Sequence, residues 1–244
     1  MILEAASAAA SRLLTAEFRA VFFKTLGLTV LALIGLWFGI TSLFEAFALP
    51  PLQEMLPDLP AWAGWIGLLA AVFAGLALAL GLGLLIAPVT AIIAGFFLDD
   101  VAEIVEREDY PLDPPGRALS MTTAAFVSVK FLCLVIVGNL FALLLLLIPG
   151  VNIAAFFIVN GYLLGREFFE FAAMRFRTEA EAKALRRRHA GTVFIAGLLI
   201  AAVLSVPIVN LLTPLFAAAM MVHLHKMVSA REDGVPLAMA GYQR

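Results

Sequence analysis

Twice in this chain a long apolar run is broken by a proline followed three residues later by an asparagine: Ile148-Pro149-Gly150-Val151-Asn152, then Val206-Pro207-Ile208-Val209-Asn210. Proline removes a backbone donor and collides with the preceding turn, so neither run continues as one straight helix. The apolar run beyond each break is short. Residues 151–164, before Arg166, are about 14 positions, or roughly 21 Å at 1.5 Å per residue, against a hydrocarbon core of about 30 Å. The same arithmetic applies to 193–206 and 208–224. The breaks are therefore expected at the tips of two helical hairpins, 119–165 and 191–225, that enter a membrane part-way and return. Paired Pro- and Gly-interrupted apolar segments are the best sequence pointer to a transport site. Pro149, Asn152, Pro207 and Asn210 thus become candidates for lining a path, although both asparagines could equally cap helix starts or hydrogen-bond between helices.

That a membrane is the solvent follows from composition. With 63% hydrophobic and 14% charged residues and a mean hydropathy of +1.03, a soluble domain would expose large apolar patches. The runs are helix-length and rich in Leu, Ala, Gly and Phe, without the ten-residue alternation of a membrane barrel. The expected fold is an all-α integral membrane protein, one membrane domain over 1–244. It has an amphipathic N-terminal helix, two long transmembrane helices and two Pro-broken, half-penetrating hairpins. Cys133, the one cysteine, lies in an apolar run and permits no intrachain disulfide. Residues 1–11 lack the early positive charge of a secretory signal and are retained as part of the mature chain.

In chain order, residues 1–24 alternate Leu3, Leu13, Leu14, Phe18, Val21 and Phe22 with Arg12, Glu17, Arg19 and Lys24, as in a helix lying on the membrane surface. A first span covers 25–49. The Pro-rich 50–60 loop carries Glu54 and Asp58 but no Lys or Arg, and Trp62 and Trp65 come next at interface depth. The second span, 61–109, outruns a bilayer and continues as a cytoplasmic extension. Val101, Ile104 and Val105 take one side of that extension, while Asp99, Asp100, Glu103 and Glu106 are expected on a solvated face. No His or Cys accompanies these acids, which argues against a metal site. Tyr110-Pro111-Leu112-Asp113-Pro114-Pro115-Gly116 forms a turn-rich connector. Residues 166–190 make a basic cytoplasmic loop, in which Arg166 and Glu170 are spaced to pair on one helix face, and Lys226 onward is a polar tail.

With both termini cytoplasmic, every Lys and Arg except Lys130 falls in a cytoplasmic segment. Lys130 lies roughly 17 Å along its run from residue 119, where an ammonium faces a bundle interior or a cavity, or snorkels to the interface if the helix lies oblique. His223 and His225 are two apart, on different sides of a helix, and cannot form a helical metal pair. There is no phosphate-binding glycine loop, no His-x-x-x-His and no Gly-x-Ser-x-Gly elbow. No cofactor, metal, nucleic-acid partner or enzymatic activity is expected.

This order of elements, with Leu164-Gly165-Arg166-Glu167-Phe168-Phe169-Glu170 and Leu185-Arg186-Arg187-Arg188-His189 between the hairpins, resembles the CysZ-type sulfate permease family, within the wider group of etoposide-induced membrane proteins. The resemblance covers nearly the whole chain. It implies a dimer or higher homo-oligomer, in contact with membrane lipid, that takes up sulfate across a bacterial inner membrane toward cysteine synthesis. The family's anion site is a Gly-Leu-Arg-Arg-like stretch between the first helix and the first span. Here Glu17-Phe18-Arg19-Ala20 stands there. Arg19 is kept, the glycine and second arginine are absent, and one of two charge-assisted contacts to a dianion is lost. Arg19, Lys24 and Lys130 are the candidate anion-binding cations of a passive permease or channel. The alternative is a non-transporting scaffold that docks the basic 175–189 segment on anionic lipid headgroups or a partner.

Overall fold

The computed structural model describes residues 1–48, 50, 64–118, 122, 151–206 and 209–234. Among these residues the regular elements are all helical. The chain divides into two compact units, Met1–Phe23 with Ala94–Arg244, and Lys24–Ile93.

Residues 1–24 do not form a single helix. Helix α1, Ile2–Arg12, stops three residues short of α2, Ala16–Leu43. Both the N–H and the hydroxyl of Thr15 donate to the carbonyl of Arg12, at 2.9 and 2.8 Å. This local capture of the carbonyl competes with continued helix and makes a tight turn. A π-helical turn, Phe44–Ala48, ends α2.

The Lys24–Ile93 unit has the surface of a body solvated by lipid. Leu31, Phe38 and Phe47 of the first helix, and Trp65, Val72 and Phe73 of the next, are exposed. Ala16–Phe47 is long and apolar enough to cross a membrane. Two of its hydroxyls bond its own backbone, Thr29 on the carbonyl of Thr25 and Thr41 on that of Trp37, so neither is left unsatisfied in an apolar setting. Helix α3, Gly64–Asp109, continues through Pro88 for 46 residues, about 69 Å at the α-helical rise.

The other unit is built around a buried axis. Four more helices contribute: α4 Val151–Met174, α5 Glu179–Arg188, α6 Ala190–Leu204 and α7 Thr213–Asp233, the last preceded by a 3₁₀ turn, Val209–Leu212. Val209–Asp233 is the second segment able to cross a membrane by length and composition. From Leu215 to Val228 every side chain of α7 is buried, a helix covered all round by its neighbours. Helices α4, α6 and α1 pack on it, and Gly234 ends it in the left-handed conformation at φ 65°, the usual helix stop.

Helices α4 and α6 make the closest crossing. A Cβ on Gly197 would lie 1.9 Å from the carbonyl oxygen of Gly161 and 2.8 Å from Cα of Gly165, so two backbones touch where only glycine fits. Helix α5 starts on a capping box between Thr178 and Glu181 and meets α6 at a 90° corner centred on His189. Two arms outrun the apolar stretches that mark them in the sequence. Helix α4 continues past Arg166 to Met174, and α7 past Lys226 to Asp233, because charged partners await the polar extensions.

Candidate functional site

The last turns of α3 carry acids on two faces. Asp99, Ala102, Glu106 and Asp109 recur at helical spacing, and Ala102, Glu106 and Asp109 are buried while Glu103 and Arg107 are exposed. The expected solvated acidic face is corrected for Asp99 and Glu106, which receive an arginine instead. Arg175, just beyond α4 and only 3% exposed, donates from Nε to Glu106 Oε1 at 2.7 Å and from Nη2 to Oε2 at 3.2 Å, and pairs with Asp99 through Nη1. Burial works against its charge, yet Glu106 and Asp99 outweigh that and raise its pKa. The connector is fastened to the same pair. The N–H of Gly116 donates to Glu106 Oε2 at 2.8 Å and that of Arg117 to the carbonyl of Arg175 at 2.8 Å. A Cβ on Gly116 would stand 2.8 Å from Glu106 Oε1, so a larger residue in the strap would have to push the Glu106 carboxylate aside.

Asp109 anchors a second chain of contacts. Arg12 donates from Nε to both its carboxylate oxygens at 3.1 Å, pairs with it through Nη2, and pairs with Glu108 through Nη1. Hydrogen bonding to Asp109 raises the Arg12 pKa against the opposing effect of burial. Next to Asp109 the Tyr110 hydroxyl lies 2.8 Å from Nδ1 of His223 on α7. His223 Nε2 is 3.5 Å from Asp109 Oδ2 but lacks hydrogen-bond geometry; it is an electrostatic neighbour rather than a bonded partner. Burial, reinforced by the charges of Asp109 and Asp113, pushes the Tyr110 phenol above its ordinary pKa.

Lys226 and His225 complete the polar end of α7. The Lys226 ammonium bonds Asp113 at 2.9 Å and sits 4.2 Å from the Phe176 ring centre, a cation–π contact that offsets part of its desolvation. His225 stacks on Phe176 with centroids 5.2 Å apart, and its Nε2 lies 3.2 Å from the Ser229 hydroxyl. At the α5–α6 corner, Arg188 and His189 both meet Glu232, at 2.9 and 3.0 Å.

Of the residues singled out from the sequence, Arg166 Nε lies 3.5 Å from Glu170 Oε1. That nitrogen makes no hydrogen bond, and the tighter partner of Glu170 is Arg186, whose Nε donates at 2.7 Å. Arg19 and Lys24 are exposed on α2. Asn152 is the second residue of α4, and Asn210 is exposed in the 3₁₀ turn. Lys130, Pro149 and Pro207 lie outside the described residues, as do residues 51–60 of the Pro-rich loop and most of the first hairpin's rising arm. Among the described residues no hydrogen bond or ion pair joins Arg19 to Asn210.

The network was legible only in part. Acids at 99, 106 and 109 recur at helical spacing beside the apolar Ala102 and Val105, a sign of burial that the acidic composition of the segment masks. Its basic partners, Arg12 and Arg175, sit some 70 or more positions away, and no local pattern pairs them. Chemically the network is neutralised: Arg12, Arg175, Arg186, Arg188 and Lys226 each face a carboxylate. Among the described residues Arg19, Arg117, Arg187 and Arg231 carry no ion pair, and no group of His, Cys, Asp and Glu is arranged to hold a metal.

Compared with known families, residues 5–214 match the family model described as Sulfate transporter CysZ/Etoposide-induced protein 2.4. No curated protein matches the chain. The matched range includes Arg12, Arg19, Tyr110 and Arg175, and it ends before His223, His225 and Lys226.

Proposed function

We propose that this chain, which belongs to the family of sulfate transporter CysZ and etoposide-induced protein 2.4, is a passive permease or channel for an inorganic anion, with sulfate as the substrate. The observation that carries the reading is Arg19. It stands exposed near the start of the Ala16–Phe47 candidate span, and it has no carboxylate partner among the described residues. An arginine in that state offers a fork of donors to a tetrahedral oxyanion, whereas the cations of the buried network would have to leave a carboxylate first. Lys24 adds charge on the same helix, Asn152 and Asn210 line the hairpin tips, and Lys130 offsets charge within the path. The absence of any phosphate-binding glycine loop in the sequence favours passive flow over an ATP-driven pump.

The scaffold reading draws less support. Within 175–189, Arg175, Arg177, Lys183, Arg186 and Arg188 are each paired with an acid, which leaves little free charge for lipid headgroups. The protein acts as an oligomer in a bacterial inner membrane with cytoplasmic termini. A cysteine at Glu181 should accordingly resist impermeant thiol reagents in intact cells and react after permeabilisation.

The deciding experiment is radiolabelled sulfate flux into proteoliposomes for the parent, Arg19→Ala and Arg19→Lys. Saturable flux in the parent, with half-saturation raised about tenfold in Arg19→Ala as one charge-assisted contact is lost, is the expected result. No flux above protein-free liposomes would move the assignment to the scaffold.

A further inference from the structure

Helix α1 is held to the bundle by very little apolar surface. Its buried residues are Ala5 and Ala9, one turn apart on one face, and they seat it against α7. Its larger apolar side chains do not help, since Leu3 is 78% exposed and Leu14, in the turn before α2, 81%. Arg12 falls on the same face as Ala5 and Ala9, one turn beyond Ala9, and there the polar contact is extensive. Its guanidinium takes both oxygens of Asp109 and one of Glu108. Asp109 is itself only 8% exposed, and beside it the fully buried His223 meets the Tyr110 hydroxyl.

The backbone carries this anchorage a short way along the chain. The carbonyl of Arg12 accepts both the N–H and the hydroxyl of Thr15, and the carbonyl of Thr15 accepts the N–H of Arg19 at 3.0 Å. Two hydrogen-bonded steps thus lead from a clamped guanidinium to Arg19. The eight residues from Arg12 to Arg19 are thus tied by backbone acceptors at two places, the carbonyls of Arg12 and Thr15.

We propose that Arg12 positions Arg19: its ion pair with Asp109 fastens the end of α1 to the end of α3 and thereby sets where the first turn of α2 presents its exposed arginine. The proposal rests on the permease reading for its consequence, since only there does the placement of Arg19 affect an anion. Arg12 is a positioning residue and does not itself bind sulfate, because its donors are already committed to carboxylates.

Two measurements test this. The first is sulfate flux against sulfate concentration in liposomes for the parent, Arg12→Gln, Arg12→Lys, Arg19→Ala and Arg12→Gln/Arg19→Ala. Arg12→Gln should raise the half-saturating concentration about tenfold while the maximal rate per folded molecule stays within a factor of about two. Arg12→Lys should recover part of the loss, since a lysine keeps the charge without the fork. The double variant should be no worse than Arg19→Ala alone, because displacing an absent side chain costs nothing; losses that multiply would overturn the proposal. The second measurement needs no transport. Nitroxides at Ala20 and Arg187, both exposed, are attached in a Cys133→Ser background, and their distance distribution is recorded in detergent. Arg12→Gln and Asp109→Asn should each broaden or displace it, and an unchanged distribution would overturn the positioning role whatever the flux. A broadened distribution beside a parent that carries no sulfate would leave the positioning standing and remove only the permease reading.

Discussion

The α4–α6 crossing gives the most direct test of the packing. In Gly197→Ala one methyl group is added where the nearest atom is the carbonyl oxygen of Gly161 at 1.9 Å, with the amide nitrogen of Gly165 next at 2.7 Å. Ordinary contacts between non-bonded heavy atoms begin well above 3 Å, so the helices must separate by on the order of 1 Å along the whole interface, because neither obstructing atom can rotate away. Overpacked sites cost typically 1–3 kcal/mol, and a backbone obstruction places this one at about 3 kcal/mol. For a chain of this size that corresponds to a fall in unfolding temperature of roughly 6–12 °C. The neighbouring glycines provide a graded series. Gly165→Ala meets the Val193 carbonyl at 2.5 Å and should cost somewhat less. Gly161→Ala meets chiefly the Leu198 side chain at 2.6 Å, which can turn aside, and should cost about 1 kcal/mol or less. Gly191→Ala points into open space and should be neutral or stabilising by up to about 1 kcal/mol. Thermal unfolding of the four variants in one mild detergent, measured by loss of the monodisperse species, ranks them. If Gly197→Ala unfolds with the parent, or Gly161→Ala is the costliest, the close backbone crossing is refuted.

Three further outcomes are expected. Arg175→Leu leaves the buried Glu106 without its arginine and should cost about 3–5 kcal/mol in denaturant titrations, with much of the loss recovered in Arg175→Leu/Glu106→Leu; equal loss in both would mean that the uncompensated charge is not the cause. Tyr110 has its pKa raised by burial, so it favours the neutral phenol in the folded state and contributes stability that is present below the unfolded value of about 10 and is lost as pH rises above it. Phenolate absorbance of folded parent and folded Tyr110→Phe should therefore coincide between about pH 9 and 11, whereas a phenolate seen only in the parent would contradict the burial. At the hairpin tips, Asn152→Asp and Asn210→Asp should reduce sulfate flux in liposomes more than the corresponding Ala variants, since a charge beside an anion path repels while a lost cap costs only about 0.5–2 kcal/mol of stability; equal flux in all four variants would take both tips out of the path.

How much of this was legible in the residues varies with the range of the interaction. Helix type and solvent were set by local chemistry: an apolar excess written in Leu, Ala, Gly and Phe leaves a lipid-facing chain no option but helix or barrel, and the period excludes the barrel. The break between α1 and α2 had a local signal in Thr15, whose hydroxyl takes the Arg12 carbonyl, but side-chain-to-backbone competition is too weak to place a boundary without its surroundings. Pairing across the fold had no such signal. Arg166 lies four residues before Glu170, and spacing alone suggested their ion pair, which forms at 3.5 Å; only the tertiary structure adds Arg186 to the same carboxylate at 2.7 Å. The acids of α3 looked like a solvated face because composition cannot say which turn will meet an arginine from another helix; the folded chain brings Arg175 and Arg12 to them across 76 and 97 positions. The role of α7 was likewise hidden, since hydropathy reports that a helix avoids water but not whether lipid or protein covers it, and only the packing of α1, α4 and α6 makes it the axis. Arg19 is the converse case. A resemblance in sequence named it as a candidate, and the tertiary structure leaves it exposed and, like Arg117, Arg187 and Arg231, without an ion pair among the described residues, whereas Arg12 and Arg175 are drawn into carboxylates.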